Sequence, residues 1–410
     1  PKAIVEKKQL AIQKFEELGL PSMKNEEWKY TYLNKVLKKG FVPNLPNNNT
    51  DYSEKIKANL PDIDADKNRI VIVDGIFSTE FSQVNTSDQY KITSLSNSWK
   101  NENKASIEFF TSITQKQNRA LTALNSALCQ DGLFIEVEDE STAQLELILI
   151  QTGQLQMSMP RILVKAGVNS YLNISEQVIL LEKTGFTNVV SEIKIEEGGM
   201  VEWVKIQDPG ENMYHFDSCY VQQAKDSEYH CTTISLSGEL IRNNQFVEIQ
   251  GENAHANLGG IYILDNKQQA DNLIIINHAA PNSTSNQLYK GILNGSSTGV
   301  FNGKIVVDQI AQKTNAFQSN KNILLSDDAA AYFRPQLEIF ADDVKCSHGA
   351  TSSQIQDSEL FYLRSRGIGK ELSKSLIMFA FAADVVEEIE DTLLRAWVKS
   401  KIASKLKIEF

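Results

Sequence analysis

The middle of the chain carries many short apolar runs, rich in Val, Ile, Leu, Tyr and Phe, with Gly, Asn, Asp or Ser between them. They lie at residues 134–137, 145–150, 161–164, 171–174, 189–195, 201–206, 261–264, 273–276, 304–307 and 337–339. Runs of this length bounded by turn residues predict β-strands. No helical pattern is interleaved with them, which argues against a doubly wound α/β sheet.

Weak self-similarity suggests how these strands are arranged. Residues 254–263 can be laid over residues 297–306, and residues 329–338 fit the same template of small residues followed by an apolar strand. The spacing is irregular, as in a solenoid whose loops vary in length from turn to turn. The pattern favours a parallel β-solenoid over residues 131–346, and a β-sandwich is the competing fold.

The N-terminal flank of this core is predicted to be mixed and mostly helical, with a short strand over residues 69–75, and the C-terminal flank is predicted to be helical. In residues 1–130, apolar positions such as Leu10 and Leu18 recur at near-helical spacing, and residues 105–130 also have helical character. In residues 347–410, a short helix with Leu360, Phe361 and Leu363 is followed by one long helix over residues 370–400. An apolar stripe runs along that helix through Leu372, Leu376, Phe379, Ala383, Val386, Ile389, Leu393 and Trp397.

Composition and charge narrow the class of protein. The 410 residues are 41% hydrophobic and 23% charged, as in an ordinary globular protein, and the formal net charge is −11. Such a surface repels a phosphate backbone, so we expect no nucleic-acid partner. We expect no secretory signal and no membrane span. Four scattered cysteines without framework spacing point to a reducing cytoplasm.

Most candidate chemical motifs fail on spacing. The string GVFNGK at 299–304 is one residue short of a phosphate-binding loop and lacks the final Ser or Thr. His215, Cys219, His230 and Cys231 resemble four zinc ligands. His230 and Cys231 are adjacent, so on a strand their side chains point to opposite faces. His215 and Cys219 are four residues apart, about 13 Å along an extended chain, which is too far to share one ion. Buried cysteines with ordinarily hydrogen-bonded histidines are the favoured interpretation of this set.

Cys346 and His348 form the pair with the most suitable geometry. Two residues apart on a strand, their side chains project to one side with Cα atoms about 6.6 Å apart. They can converge on one iron or zinc ion or flank one cluster, but two ligands need others from elsewhere. An incidental surface Cys and His is the alternative. A Cys/His hydrolase is a third possibility, which no nucleophile elbow supports.

Two strings give the chain a specific resemblance. DDVKCSHGAT at 342–351, followed by LFYLRSRGI at 360–368, closely resembles the C-terminal signature of the SufB/SufD family of iron–sulfur cluster assembly scaffolds. EEWKYT at 26–31 is similar to the N-terminal pattern of the SufD branch, and so is the Cys-Ser-His form at 346–348. Ser352 and Ser353 depart from the expected continuation, which affects only local loop geometry.

The resemblance implies a right-handed parallel β-helix between helical regions and two protein partners. A SufB-like subunit would pair through the β-helix, with Cys346 and His348 at the interface as ligands of iron or a nascent cluster. A SufC-like ATPase would dock on the C-terminal helices. The residues implied in or near that ATPase-binding region are Leu360, Phe361, Tyr362, Arg364 and Arg366.

On this reading the chain is a scaffold and not an enzyme by itself. It would hold no cofactor stably and would share a transient iron–sulfur cluster with the SufB-like subunit. Two alternatives stay open. A β-helix carbohydrate-active enzyme would need paired carboxylates converging on one solenoid face. A purely structural homodimer would act only as an assembly platform.

Overall fold

The computed structural model describes residues 1–43, 52–61, 67–152 and 155–408. The N-terminal region combines helices with a few strands. Its elements are α1 (Lys2–Leu18), a 3₁₀ turn (Glu26–Trp28), α2 (Leu33–Leu37), β1 (Val42–Pro43), α3 (Ser53–Asn59), β2 (Asn68–Val73), β3 (Ile76–Phe77), β4 (Tyr90–Ser94), α4 (Leu95–Lys100), α5 (Lys104–Phe109) and α6 (Ala120–Leu128).

A long series of strands follows and forms the predicted parallel β-solenoid. They are β5 (Gly132–Val137), β6 (Thr142–Gln151), β7 (Gln156–Ser158), β8 (Arg161–Ala166), β9 (Tyr171–Leu180), β10 (Gly185–Ile195), β11 (Met200–Gln207), β12 (Met213–Gln223), β13 (Glu228–Ser235), β14 (Leu240–Ile249), β15 (His255–Leu264), β16 (Gln269–His278), β17 (Thr284–Leu293), β18 (Thr298–Val307), β19 (Asn315–Leu324), β20 (Ala330–Ile339) and β21 (Lys345–Ser353).

From β8 onward, consecutive strands alternate between two facing sheets. One sheet has the order β20-β18-β16-β14-β12-β10-β8-β5-β4, with β1 and β7 beside it, and the other has the order β21-β19-β17-β15-β13-β11-β9-β6-β2-β3. Neighbours pair in parallel, except that β4 is antiparallel to β5 and β3 is antiparallel to β2. This parallel pairing excludes the β-sandwich alternative.

The register confirms an irregular repeat. Glu228 pairs with His255, His255 with Thr284, and Thr284 with Asn315, so successive turns differ by 27, 29 and 31 residues. Thr298 pairs with Ala330, the offset predicted between residues 297–306 and 329–338. The segment at 254–263, however, belongs to the opposite sheet. Both sheets place small and apolar residues in the interior, so the sequence pattern of a strand does not show which of the two sheets it belongs to.

The N-terminal region covers the outside of the β20–β4 sheet through apolar packing and through a buried carboxylate. Arg161 Nη2 lies 2.6 Å from Glu192 Oε1, and both side chains are fully buried. Glu192 also accepts hydrogen bonds from the backbone N–H groups of Thr111, Ile113 and Thr114 at 2.8–3.0 Å. One carboxylate therefore attaches the segment between α5 and α6 to the sheet.

Three helices follow the solenoid, α7 (Asp357–Ser365), α8 (Lys370–Val386) and α9 (Thr392–Lys405). The prediction of one long helix over 370–400 is wrong. The chain breaks because Ile389 is buried and the Asp391 side chain caps α9 by accepting from the N–H groups of Leu393 and Leu394. The predicted stripe is displaced as well, since Leu393 is 75% exposed.

The buried face of α8 and α9 packs on the outside of the β21–β3 sheet. The cluster contains Val204, Ile206, Ile234, Leu236, Ile261, Ile263 and Ile292 from the sheet and Met378, Ala382, Val385, Val386, Ile389, Val398, Ile402, Ala403, Leu406 and Ile408 from the C-terminal segment. Lys290 Nζ adds a hydrogen bond to Phe381 O at 2.7 Å and an ion pair to Asp384 at 2.5 Å. These helices are therefore part of the packed structure.

The strands extend past both predicted divisions of the chain. β2, β3 and β4 lie before residue 131 and complete the sheets, because their backbones pair with the first solenoid turn. The division after residue 346 falls within β21, which pairs with β19 up to Ser353. In the described part of the chain, no helix is long and apolar enough to cross a membrane.

We predict that Glu192→Ala is strongly destabilising. It leaves the buried Arg161 without its counter-ion and three backbone donors without an acceptor, a loss of about 3–5 kcal/mol for a broken buried pair. Glu138→Ala is the matched control. Glu138 pairs with Lys91 at 2.7 Å with both side chains largely exposed, so its loss costs less than about 1 kcal/mol. Chemical denaturation of both variants measures the difference, and equal midpoints would contradict this account.

Candidate functional site at the open end of the solenoid

Cys346 and His348 lie on β21, the last strand of its sheet. Cys346 pairs with Ala316 and His348 with Gln318, and both of these partners on β19 are buried. Side chains two apart on a strand share a face, so Cys346 and His348 both turn toward the solenoid interior. This confirms the predicted same-side geometry. Whether the two residues bind iron stays a prediction.

The two side chains have different surroundings. Cys346 is half-buried and packs with Ile305, Ala316 and Ala341. Burial raises the pKa of its thiol, so the protonated form is favoured until a metal or a positive charge stabilises the thiolate. His348 is exposed, and β21 is the last strand of its sheet among the described residues, so no further turn there covers the imidazole. The pair thus combines a partly shielded sulfur with an accessible imidazole.

The row that ends at His348 is polar over its last turns. Gln287, Gln318 and His348 occupy successive positions across β17, β19 and β21. Gln318 Nε2 donates to Gln287 Oε1 at 2.9 Å, while Gln318 Oε1 is buried without a partner among the described residues. The interior next to the pair therefore offers hydrogen-bonding groups.

The end of the solenoid is an uncovered sheet edge with aromatic residues beside it. β20 and β21 are terminal in their sheets, and within the described residues no strand pairs with their outer edges. Phe340 is 62% exposed, Phe317 is 46% exposed, and Tyr332 and Phe333 are each 40% exposed. An edge of this length with exposed apolar side chains can accept a strand of another chain.

The N-terminal string 26–31 reaches the same end of the molecule. The rings of Tyr30 and Tyr332 stack with centroids 4.0 Å apart, and Arg334 pairs with Glu26 at 2.5 Å. Thr31 donates to Asp271, which in turn pairs with the buried Arg242. The N-terminal string therefore lies against β20, the strand that precedes the string 342–351 in the chain.

Helix α7 presents the second set of predicted residues. Phe361 is 74% exposed and Tyr362 is 58% exposed, and Arg364 and Arg366 are exposed as well. Leu360 is half-buried. Arg366 lies over the Tyr362 ring, 5.4 Å from its centroid. Exposed aromatic and arginine side chains on one short helix are typical of a protein-binding surface.

The four residues that resembled zinc ligands are separated by the strand geometry. His230 lies on the opposite face of β13 from Cys231 and pairs with Glu228 at 3.2 Å. Cys219 and Cys231 are buried inside the solenoid, where burial raises the pKa of both thiols. These histidine and cysteine positions do not converge as one set.

Sequence reasoning missed a charged cluster inside the solenoid. Lys205 Nζ lies 2.5 Å from Asp217 Oδ2 and 3.9 Å from Glu176 Oε2, and all three side chains are buried. Burial raises the pKa of Glu176 to about 7 and lowers that of the neighbouring His215 to about 4. The repeat could have predicted this cluster, because it pairs Lys205 on β11 with Glu176 on β9, and both side chains then point into the solenoid.

Comparison with known proteins gives the family. Residues 148–381 match the SufBD core domain of SUF system iron–sulfur cluster assembly, and residues 1–147 match the SufBD protein N-terminal region. An iron–sulfur cluster assembly SufBD family protein of Synechocystis is 31% identical over 404 residues, which cover 94% of this chain and 87% of that protein.

A second relative agrees over a similar extent. The iron–sulfur cluster assembly protein SufD of Escherichia coli is 27% identical over 402 residues, covering 96% of this chain and 91% of that protein. The two family matches together cover residues 1–381, which include the N-terminal region, the solenoid, α7 and most of α8. This chain belongs to the SufB/SufD family and has a role in Suf iron–sulfur cluster assembly.

Proposed function

We propose that this chain is a SufD-type scaffold subunit that pairs with a SufB-like subunit and docks a SufC-like ATPase to support iron acquisition and nascent cluster assembly. The observation that carries the proposal is the position of Cys346 and His348, which face one way at an uncovered solenoid end. The iron–sulfur cluster would be the product that the complex assembles and passes on. The chain itself would not be an enzyme.

Pairing with a second solenoid would satisfy the uncovered backbone. The outer edges of β20 and β21 offer N–H and C=O groups that a strand of a partner can use, and the aromatic residues beside them supply apolar contact. A SufB-like subunit of the same fold would have an edge of its own to offer. The interface would then enclose Cys346 and His348.

Enclosure would complete the ligand set. A thiolate and a neutral imidazole are both good iron ligands, but two protein ligands hold a cluster weakly. The partner would supply the remaining ligands and shield the cluster from solvent. Because the Cys346 thiol favours its protonated form when the chain is alone, cargo would bind best in the complex.

The C-terminal helices provide a mechanical connection to an ATPase. Phe361 and Tyr362 are exposed for docking, whereas α8 and α9 pack on one solenoid sheet. ATP-driven movement of a partner bound at α7 would therefore act on the scaffold through packed helices and rearrange the pairing interface. Nucleotide chemistry would come from the partner.

A carbohydrate-active enzyme is less well supported. Glu176 and Asp217 do bring two carboxylates together, but they lie inside the solenoid and are 0% and 1% exposed. A sugar cannot reach them without opening the sheets. A purely structural homodimer would use the same uncovered edge, and it is distinguished by the experiments below.

We predict that His348→Ala lowers the cluster content of the co-expressed complex by about tenfold. Even the loss of a residue that only hydrogen-bonds a metal ligand typically lowers metal affinity by about 10- to 100-fold. Cys346→Ala should have a similar or milder effect, because a partner cysteine can supply the main thiolate. Both variants should retain normal thermal stability and partner binding, since the backbone makes the strand ladder.

Ser347→Ala is the control for these two variants. Ser347 lies between them on β21, pairs with the exposed Phe317 and faces away from the interior. Its cluster yield should equal that of the unmodified chain by visible absorbance and iron analysis. Wild-type yield in His348→Ala would instead mean that the pair is incidental.

We predict that Phe340→Asp weakens binding to the SufB-like subunit by at least about tenfold, because it places a charge among the apolar residues of the uncovered edge. Leu10→Asp on α1 is the control. Leu10 is 65% exposed, close to the 62% of Phe340, and the Leu10→Asp chain should bind normally. Titration calorimetry measures both. Equal affinities would show that the partner does not use this edge, and self-association lost in Phe340→Asp would favour the homodimer.

We predict that Phe361→Asp reduces SufC retention in a pull-down by at least about tenfold, again with Leu10→Asp as the control. A point substitution is the cleaner test than deletion after Gly367, because α8 and α9 cover apolar residues of the solenoid that a deletion would expose. Full retention by Phe361→Asp would mean that the ATPase docks elsewhere.

A further inference from the structure

The charged cluster inside the solenoid is not used by the proposed function. Glu176 comes from β9 of one sheet, and His215 and Asp217 come from β12 of the facing sheet. One ligand atom from each, a carboxylate oxygen or an imidazole nitrogen, lies within 4.8 Å of the other two. All three side chains are buried, with at most 1% of their surface exposed.

The atoms that face each other here lack partners. Both carboxylate oxygens of Glu176, Asp217 Oδ1 and His215 Nε2 are buried without a hydrogen bond shorter than 3.5 Å to any described residue, while the Lys205 ammonium lies 3.9 Å from Glu176 Oε2 and the Trp203 indole lies close to the same carboxylate. Buried polar groups are nearly always satisfied, and each unsatisfied one is costly. Four such atoms on three neighbouring residues indicate an occupant that accepts lone pairs from oxygen and nitrogen.

The surrounding contacts orient these atoms. His215 Nδ1 lies 2.6 Å from Thr187 Oγ1, which fixes the ring and leaves Nε2 as the nitrogen without a hydrogen-bond partner among the described residues. Lys205 Nζ contacts Asp217 Oδ2 and leaves Oδ1 free. A histidine held through its other nitrogen is the usual arrangement around a metal ligand.

Charge also favours a cation. When Glu176 and Asp217 are both ionised, the Lys205 ammonium offsets only one of their charges, and a net negative charge is left inside the solenoid. An uncompensated buried charge is strongly unfavourable. A bound cation would remove the excess and would join the two sheets.

We propose that Glu176, His215 and Asp217 form a binding site for a first-row divalent metal ion, with Fe²⁺ and Mn²⁺ as the best matches. Two carboxylates and one imidazole are a ligand set that these ions accept. Bonds of about 2.1 Å place ligand atoms at most about 4.2 Å apart, so closure from 4.8 Å needs only small side-chain movements.

This site is separate from the one at the open end. Along the β21–β3 sheet, Glu176 on β9 lies six strands from His348 on β21, about 29 Å at roughly 4.8 Å per strand. The proposal therefore does not depend on cluster assembly. It concerns an ion held within the scaffold itself.

The test measures metal content in a chain that already carries Cys346→Ala and His348→Ala, so that the open-end pair contributes nothing. The protein is produced in medium supplemented with Fe²⁺, Mn²⁺ or Zn²⁺, passed through a chelator-containing column and analysed by elemental mass spectrometry. His215→Gln and Glu176→Gln are added to this background. Glutamine keeps similar volume, and at Glu176 it removes the excess charge, so that variant should fold even without metal.

His278→Gln is the matched control. His278 is the second fully buried imidazole, but its two nitrogens contact Ser283 Oγ at 2.7 Å and Ser285 Oγ at 2.8 Å, so neither is free. We expect about one ion per chain in the background protein and in His278→Gln, and at least a tenfold loss in His215→Gln and Glu176→Gln. Metal loading should also raise the thermal midpoint of the background protein and of His278→Gln, but not that of His215→Gln or Glu176→Gln. Metal far below one equivalent in the background protein, or equal metal in all variants, would overturn the proposal.

Discussion

Each turn of this solenoid forms backbone hydrogen bonds with the turn before it. The first and last strands therefore each have one edge whose N–H and C=O groups need another partner. At one end the ladders finish on the antiparallel strands β4 and β3, and the N-terminal helices pack nearby. At the other end β20 and β21 have outer edges with no strand beside them in the described residues. The fold therefore has two unlike ends, and the residues proposed to bind iron lie at the uncovered one.

Both outer faces of the solenoid are covered by apolar packing, and buried polar contacts add to it. On one sheet, Leu33, Val36 and Leu121 of the N-terminal region pack on apolar strand residues, and the buried Glu192 accepts hydrogen bonds from backbone N–H groups of that region. Apolar packing of α8 and α9 covers the other sheet. The helix α7, which exposes Phe361 and Tyr362, directly follows β21 in the chain, so under the proposed function a partner bound there would act on the sheet whose last strand holds Cys346 and His348.

Sequence patterns predicted the solenoid because its strands are short apolar runs separated by turn residues, a local property. They did not assign segments 254–263 and 297–306 to different sheets, because inward positions look alike in both. The break before Asp391 was missed since the apolar stripe continued across it, and only the cap and the burial of Ile389 reveal it. Glu176, Lys205 and Asp217 look like solvent-facing residues until the register turns them inward. The spacing of Cys346 and His348 predicted that they share one face, and the family resemblance was needed to single them out as candidate ligands.

Hydrogen exchange at the uncovered edge tests the central claim most directly. If the solenoid end is a pairing surface for a SufB-like subunit, amides of β20 and β21 should exchange rapidly in the isolated chain and slow markedly when the partner is added. Amides of interior strands such as β12 should not change, because their ladder is complete on both sides. A complex that forms while exchange at β20 and β21 stays as fast as in the isolated chain would contradict the account.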